Sequence, residues 1–214
     1  MVRVTPEHVD ARRRAILEAA CDVFARKGSA AATMQEIARE AGLSAGAIYL
    51  YYPSKADLVR AVCDAKTASV QSIFDEAALE TDDPLVVLDR VARTLAGQYH
   101  EEDFRTDSIL SLETTLAAAR DLDDLGAELR STSCSISESI AALVRQAQLR
   151  KEIESEIDPE TLATVLQAFA IGLQQLHLMT QGSLDPLASY LLVMSMLRRL
   201  TPVEPGNQAT ELAL

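Results

Sequence analysis

The sequence predicts an all-α protein: a short N-terminal domain of three helices, followed by a larger C-terminal helical domain. Three observations carry that expectation. Proline and glycine, the residues that break helices, number only seven and eight in 214 positions. Apolar residues recur at helical spacing in segment after segment, with no useful run of strand-like alternation. Signals for helix starts, either capping residues or Asp-Pro pairs, stand at the head of most of those segments.

Charge is divided unevenly. The chain carries 20 basic and 32 acidic residues, a net of -12. Residues 1–60 hold nine Lys/Arg against seven Asp/Glu, a net of +2, and the remainder holds 11 against 25, a net of -14. An acidic protein is a poor partner for phosphate, but the first quarter could face it while the rest could not. The triplet Arg12–Arg14 could serve that purpose or could be a solvated helix face. Cys21, Cys63 and Cys134 form no CxxC pair and read as small buried hydrophobes in a reducing cytosol. No uninterrupted apolar run approaches the roughly 20 residues of a membrane span, and Met1 to Asp10 has no signal-peptide core, so a cytoplasmic location without a membrane partner is expected.

The first helix is expected over Ala11 to Lys27. Ile16, Ala19, Ala20, Val23 and Phe24 follow the i, i+3, i+4, i+7, i+8 pattern, and Gly28 ends it. Thr33 followed by Glu36 is a capping box for a second, short helix with Ile37, Ala38 and Ala41 inward. It stops at Gly42, where a sharp turn needs positive φ. Leu43 plugs the angle, and Ser44 caps another short helix over Ala45 to Tyr52 that Pro53 closes. Two short helices joined by Gly42-Leu43-Ser44 make a helix-turn-helix, over about 33–52. Small Ala45, Gly46 and Ala47 let its second helix approach a major groove closely. Ser54 caps a further helix from Lys55 that runs through Val62, Ala65, Val70 and Ile73 to about Ala78.

The stretch TMQEIAREAGLSAGAIYLYYPSKADLVRAV, Thr33 to Val62, strongly resembles the DNA-binding domain of TetR-family transcriptional regulators, and RRRAILEAACDVFARKG, Arg12 to Gly28, extends the match upstream. The resemblance covers roughly residues 8–66. Where the family reads Gly-Val-Ser-x-Gly-x-Leu-Tyr-x-His-Phe-x-Ser-Lys, this chain reads Gly-Leu-Ser-Ala-Gly-Ala-Ile-Tyr-Leu-Tyr-Tyr-Pro-Ser-Lys. It implies a DNA-contact set of Thr33, Gln35, Ser44, Ala45, Gly46, Tyr49, Tyr51 and Lys55. Thr33 would bond a backbone phosphate, Tyr49 a phosphate or base edge, Tyr51 (in place of the usual His) a phosphate, and Lys55 would neutralise one. Gln35 and Ala45 occupy positions that can reach bases. Tyr52, at the usual Phe position, belongs to the core. Ala45 and Ala47 offer only apolar contact, for instance to a thymine methyl, which leaves Gln35 and DNA shape as candidate sources of specificity.

After Thr81-Asp82-Asp83-Pro84, helices are expected at about 84–99, 104–120, 122–150, 159–181 and 186–200. This part resembles the C-terminal halves of some family members more loosely, through Arg120-Asp121 and Asp158-Pro159-Glu160. The helix from Pro186 is apolar on nearly every face, which calls for burial on all sides and hence for a second chain. Leu173, Leu176, Tyr190, Leu191, Met194 and Leu197 form the expected dimer interface, with Gly172 allowing close approach. A single-chain bundle with that helix at its centre is the other reading. His177 among leucines reads as a core or interface residue, and His100-Glu101-Glu102-Asp103 as a solvated loop. The run Ser131 to Ser139 reads either as small residues for close packing or as a pocket wall with hydroxyls facing a ligand.

No nucleophile elbow, phosphate loop, HExxH or CxxC pair is present in the sequence, so neither an enzyme, nor a metal, nor a cofactor is expected. The expectation is a ligand-responsive transcriptional regulator: residues 8–66 bind DNA, and residues 67–214 take a largely apolar small molecule and dimerise. Two subunits would repress at a near-palindromic operator and be released by the effector. A helical carrier that never touches DNA is the rival. The acidic balance favours it, and the motif and the basic first quarter oppose it.

Overall fold

The structure, a computed structural model, describes residues 6–101, 104–120 and 125–200. Among these every regular element is helical: α1 (Pro6–Lys27), α2 (Met34–Glu40), a 3₁₀ turn (Ile48–Leu50), α3 (Lys55–Glu80), α4 (Pro84–Gln98), α5 (Phe104–Arg120), α6 (Leu125–Leu149), α7 (Pro159–Met179) and α8 (Pro186–Leu197). They form two compact units. One comprises Met1–Ser72 and Gln98–Ile136, the other Ile73–Gly97 and Ser137–Leu214. This grouping by contact differs from a boundary at 66/67 in placing α5 with the N-terminal helices.

In the first unit, α1 begins earlier than its apolar periodicity suggests. Pro6 sits at the first helical position, where its missing N–H costs nothing, and Glu7 complements the dipole. Ile16, Ala20, Val23 and Phe24 are buried as the spacing demands, packed with Ile37 and Ala38 of α2, with Ile48 of the 3₁₀ turn, with Leu58 and Val62 of α3, and with Leu110 of α5. Gly28 ends α1 at φ +81°, and a Cβ added there would meet Glu113 Oε2 of α5 at 3.0 Å. Position 28 therefore favours glycine for its conformation, while the Glu113 carboxylate, at the end of a flexible side chain, would have to shift slightly to admit a Cβ. Lys66 of α3 pairs with Asp107 of α5 in the same unit.

The capping box of α2 is present in full. Glu36 N–H donates to Thr33 Oγ1 at 3.3 Å, and Thr33 N–H donates to Glu36 Oε2 at 3.1 Å. Lys27 pairs with Glu36, and this ion pair with the Thr33 hydrogen bonds holds the Glu36 carboxyl down at about 2. Of the cysteines, Cys63 is buried and Cys21 half-buried, with burial pushing the Cys21 thiol up to about 11. Cys134 corrects the expectation of three buried thiols, because it lies on an exposed face of α6.

In the second unit, Asp83 accepts from the N–H groups of Leu85 (3.0 Å) and Val86 (3.1 Å) and starts α4. Asp158 accepts from Thr161 N–H and Asp185 from Ala188 N–H, both at 2.9 Å, at the heads of α7 and α8. Each of these helices has proline at its first position, as the sequence signals require. Lys151, at φ +60°, closes α6 and lets Glu152 N–H reach Ala147 O at 2.8 Å. Asp89 of α4 holds Arg93 at 2.7 Å and Arg198 at 3.7 Å.

The structure sorts the expected dimer set by burial. Leu173, Tyr190, Met194 and Leu197 are buried within their own chain, Tyr190 edge-on to Phe169 with ring centroids 5.3 Å apart. Side chains shielded by their own subunit offer little surface to a partner. Of the six, Leu176 is exposed (53%) and Leu191 half-buried. The apolar side chains that α7 and α8 leave in water are others: Val165, Ile171 and Met179 on α7, and Leu187, Leu192 (61%) and Met196 (58%) on α8. The helix is apolar all round, and only packing decides which arc is inside. α7 holds no uninterrupted apolar run, being broken by Thr161, Thr164, Gln167, Gln174, Gln175 and His177. By length and composition alone its 21 residues would suffice to cross a bilayer. His177 is buried, as its apolar neighbours suggest.

Candidate nucleic-acid interface

The turn of the helix-turn-helix is built by local hydrogen bonds. Leu43 N–H donates to Ala38 O at 2.8 Å and Gly42 N–H to Arg39 O at 3.2 Å, with Gly42 at φ +66°. This is a Schellman closure, and Leu43 packs against the core beside Ala38. Ser44 then caps the next segment, its Oγ accepting from Ala47 N–H at 3.3 Å.

The second helix of the motif differs from the α-helix expected over Ala45 to Tyr52. Ala47, Leu50 and Tyr51 donate to Ser44, Ala47 and Ile48, three residues back, and only Tyr52 reaches four residues back, also to Ile48. The segment is a run of turns with a 3₁₀ core at Ile48–Leu50. Eight residues between a Schellman turn and Pro53, including Gly46 and β-branched Ile48, are too few and too poor in helix propensity to sustain α-helical bonding.

Burial sorts the expected contacts. Thr33, Gln35, Ser44, Ala45, Gly46 and Tyr49 (49%) are exposed, while Tyr51 and Lys55 are half-buried. Ile48 and Tyr52 anchor the segment in the core, and burial raises the Tyr52 phenol while the nearby Arg13 guanidinium opposes the rise. Two residues have further duties. Thr33 Oγ1 donates to Glu36 Oε2 at 3.1 Å, so its hydroxyl already has an acceptor. Lys55 Nζ donates to Ala30 O and Ala32 O, both at 2.9 Å, and secures the loop that leads into Thr33. An ammonium has three donors, which leaves one for phosphate.

Lys55→Ala is therefore expected to weaken DNA binding across all sequences and to lower the salt slope by about one unit. It should also loosen the 28–33 loop, measurable as faster amide exchange there. A shift in preferred sequence at constant slope would show the role to be wrong.

One exposed residue escaped the sequence reading. Leu50, between the two tyrosines, is 84% exposed on the motif's second segment. A leucine between aromatic residues reads as core from composition, but Ile48 and Tyr52, four apart, take the inner face and leave position 50 on the opposite side.

In the second unit, an open groove of about 220 Å³ lies among Ile73, Glu76, Ala77, Glu80, Arg90, Arg93 and Thr94. Its arginines are engaged with Glu80 and Asp89, so its lining is charged and unlike the apolar pocket expected for the effector. The run Ser131 to Ser139 lies in α6, where residues 134–139 are exposed or half-buried and the side chains of 131–133 are outside the described set. Glu102, Asp103 and Asp121 also lie outside the described residues.

Residues 16–62 match the family described as bacterial regulatory proteins, tetR family. Over 190 residues the chain is 30% identical to the HTH-type transcriptional regulator TtgR of Pseudomonas putida, covering 86% of this chain and 89% of that protein. It is 29% identical over 177 residues to the HTH-type transcriptional repressor BepR of Brucella suis, covering 80% and 82%. Its fold is similar to that of the transcriptional regulator FadR from Bacillus subtilis, solved in complex with stearoyl-CoA, with TM-score 0.73, 19% identity and coverage of 88% and 99%.

Proposed function

The chain belongs to the TetR family of transcriptional regulators, and from that premise we propose that it represses a near-palindromic operator and releases it on binding a small molecule. It is a DNA-binding regulator and not an enzyme. TetR-family regulators bind operators and small-molecule effectors and act as dimers. In this reading residues 8–66 are the DNA-binding domain and 67–214 the ligand-binding and dimerisation domain, and the protein works in the cytoplasm.

The observation that carries the DNA-binding role is the exposure of Thr33, Gln35, Ser44, Ala45, Gly46 and Tyr49 around the hydrogen-bonded turn of the motif, in the unit that also holds the basic triplet Arg12–Arg14. Tyr51 and Lys55 border it. The dimer in this reading uses the exposed apolar side chains Leu192 and Met196, four apart on one face of α8, together with Leu176 of α7. The effector would be largely apolar with a few polar groups. A ligand releases DNA only if it binds the two head arrangements with different affinity.

The test begins with duplex DNA: retention at low salt, lost as salt rises, is expected. Tyr49→Phe should then lower operator affinity by about 1.5–3 kcal/mol, the worth of one hydrogen bond to a charged acceptor, with unchanged melting. Equal affinity in parent and variant would remove Tyr49 from the contact set.

A further inference from the structure

We infer that Leu50 reads a pyrimidine C5-methyl group in the major groove, so that each half-site holds a thymine there which 5-methylcytosine can replace and cytosine cannot. The inference rests on the DNA-binding reading above and specifies its chemistry.

Between Ser44 and Ser54 the chain is Ala-Gly-Ala-Ile-Tyr-Leu-Tyr-Tyr-Pro, without an amide, guanidinium or carboxylate side chain. The bidentate pairings that identify guanine, adenine or cytosine are therefore unavailable from this segment. Ile48 and Tyr52 are buried and Tyr51 and Ala47 half-buried, which leaves Ala45, Gly46, Tyr49, Leu50 and the terminal Pro53 as its exposed residues. Of these, Leu50 presents the largest purely apolar group, at 84% exposure, next to Tyr49. A single exposed leucine is ordinary on a protein surface. Here its place decides its meaning: it stands on the segment that faces the groove, where the only apolar mark on a base edge is the thymine methyl. Cytosine methylated at C5 carries the same group on the same ring atom, so Leu50 would make binding sensitive to DNA methylation at that position.

The experiment uses the full chain and a duplex selected from a random pool. Each thymine of the selected half-site is replaced in turn by deoxyuridine, which removes only the methyl. One position per half-site is expected to lose about fourfold in affinity, the effect of one buried methyl, and about fifteenfold when both half-sites are changed. At that position, a 5-methylcytosine·guanine pair should bind about fourfold more tightly than cytosine·guanine. In Leu50→Ala both differences should vanish, while the melting temperature stays at the parent value because the side chain lies in water. Selection of a defined sequence with no deoxyuridine-sensitive position, or a sensitivity that Leu50→Ala retains, overturns the inference and leaves the DNA-binding reading standing. Failure to bind any duplex at low salt overturns both.

Discussion

Leu192→Glu is expected to leave the chain folded and to turn dimers into monomers, whereas Met194→Glu, two positions away, is expected to unfold it. The two residues share a helix and a hydrophobic character, and they differ in what covers them. Met194 is 6% exposed within its own subunit, and Leu192 is 61% exposed. A glutamate at 194 puts an unpaired carboxylate into the interior of the second unit. That costs about 3–5 kcal/mol, a large part of the roughly 5–15 kcal/mol that keeps a domain folded. Loss of the helical melting transition, or insoluble protein, is the expected readout. A glutamate at 192 leaves the subunit solvated, but in a symmetric dimer the same charge is buried twice. The dimer should weaken by at least about a thousandfold, roughly 4 kcal/mol, with melting of the isolated subunit unchanged. Operator affinity should fall with it, since one head meets one half-site. Sedimentation of Leu192→Glu as a dimer at micromolar concentration would place the interface elsewhere.

Phe24→Ala should abolish DNA binding without touching any contact residue. Phe24 is fully buried in the core of the first unit with Ile16, Ile37, Ile48 and Leu58. Removing its ring costs about 3–5 kcal/mol in lost burial and cavity. For a chain of this size, that lowers the melting temperature by roughly 10 °C. Ile48 would lose part of its support and with it the orientation of Tyr49 and Leu50 at its side. A variant that melts at the parent temperature and binds operator normally would show that this core does not set the interface.

The two outcomes mirror what could be read without the structure. The capping box at Thr33 and Glu36, the Asp-Pro starts of α7 and α8, and the positive-φ stop at Gly42 were all legible, since each is closed by partners within about five residues along the chain. The buried positions of α1 were legible too, because Ile16, Ala20, Val23 and Phe24 fall on one side of a helix whose other side is polar. The same logic found most of the exposed contact set, Thr33, Gln35, Ser44, Ala45, Gly46 and Tyr49.

By itself, the sequence determined the helical class, the order of the helices, their starts to within a few residues apart from α1, and the helix-turn-helix with its family. These rest on interactions between near neighbours, whose geometry the backbone repeat dictates. Only the tertiary structure decided the rest. It chose Tyr190, Met194 and Leu197 as the inner arc of α8 and left Leu187, Leu192 and Met196 outside, because a helix apolar on every side carries no pattern that prefers one. It tied Lys55 to carbonyls 23 and 25 residues earlier, and it joined α5 to the N-terminal helices through Leu110 and the Lys66–Asp107 pair. It also tightened the recognition segment into a 3₁₀ turn at Ile48–Leu50 where an α-helix is expected. Each depends on which distant surfaces meet, and that is set by the packing of whole helices, which no local spacing records.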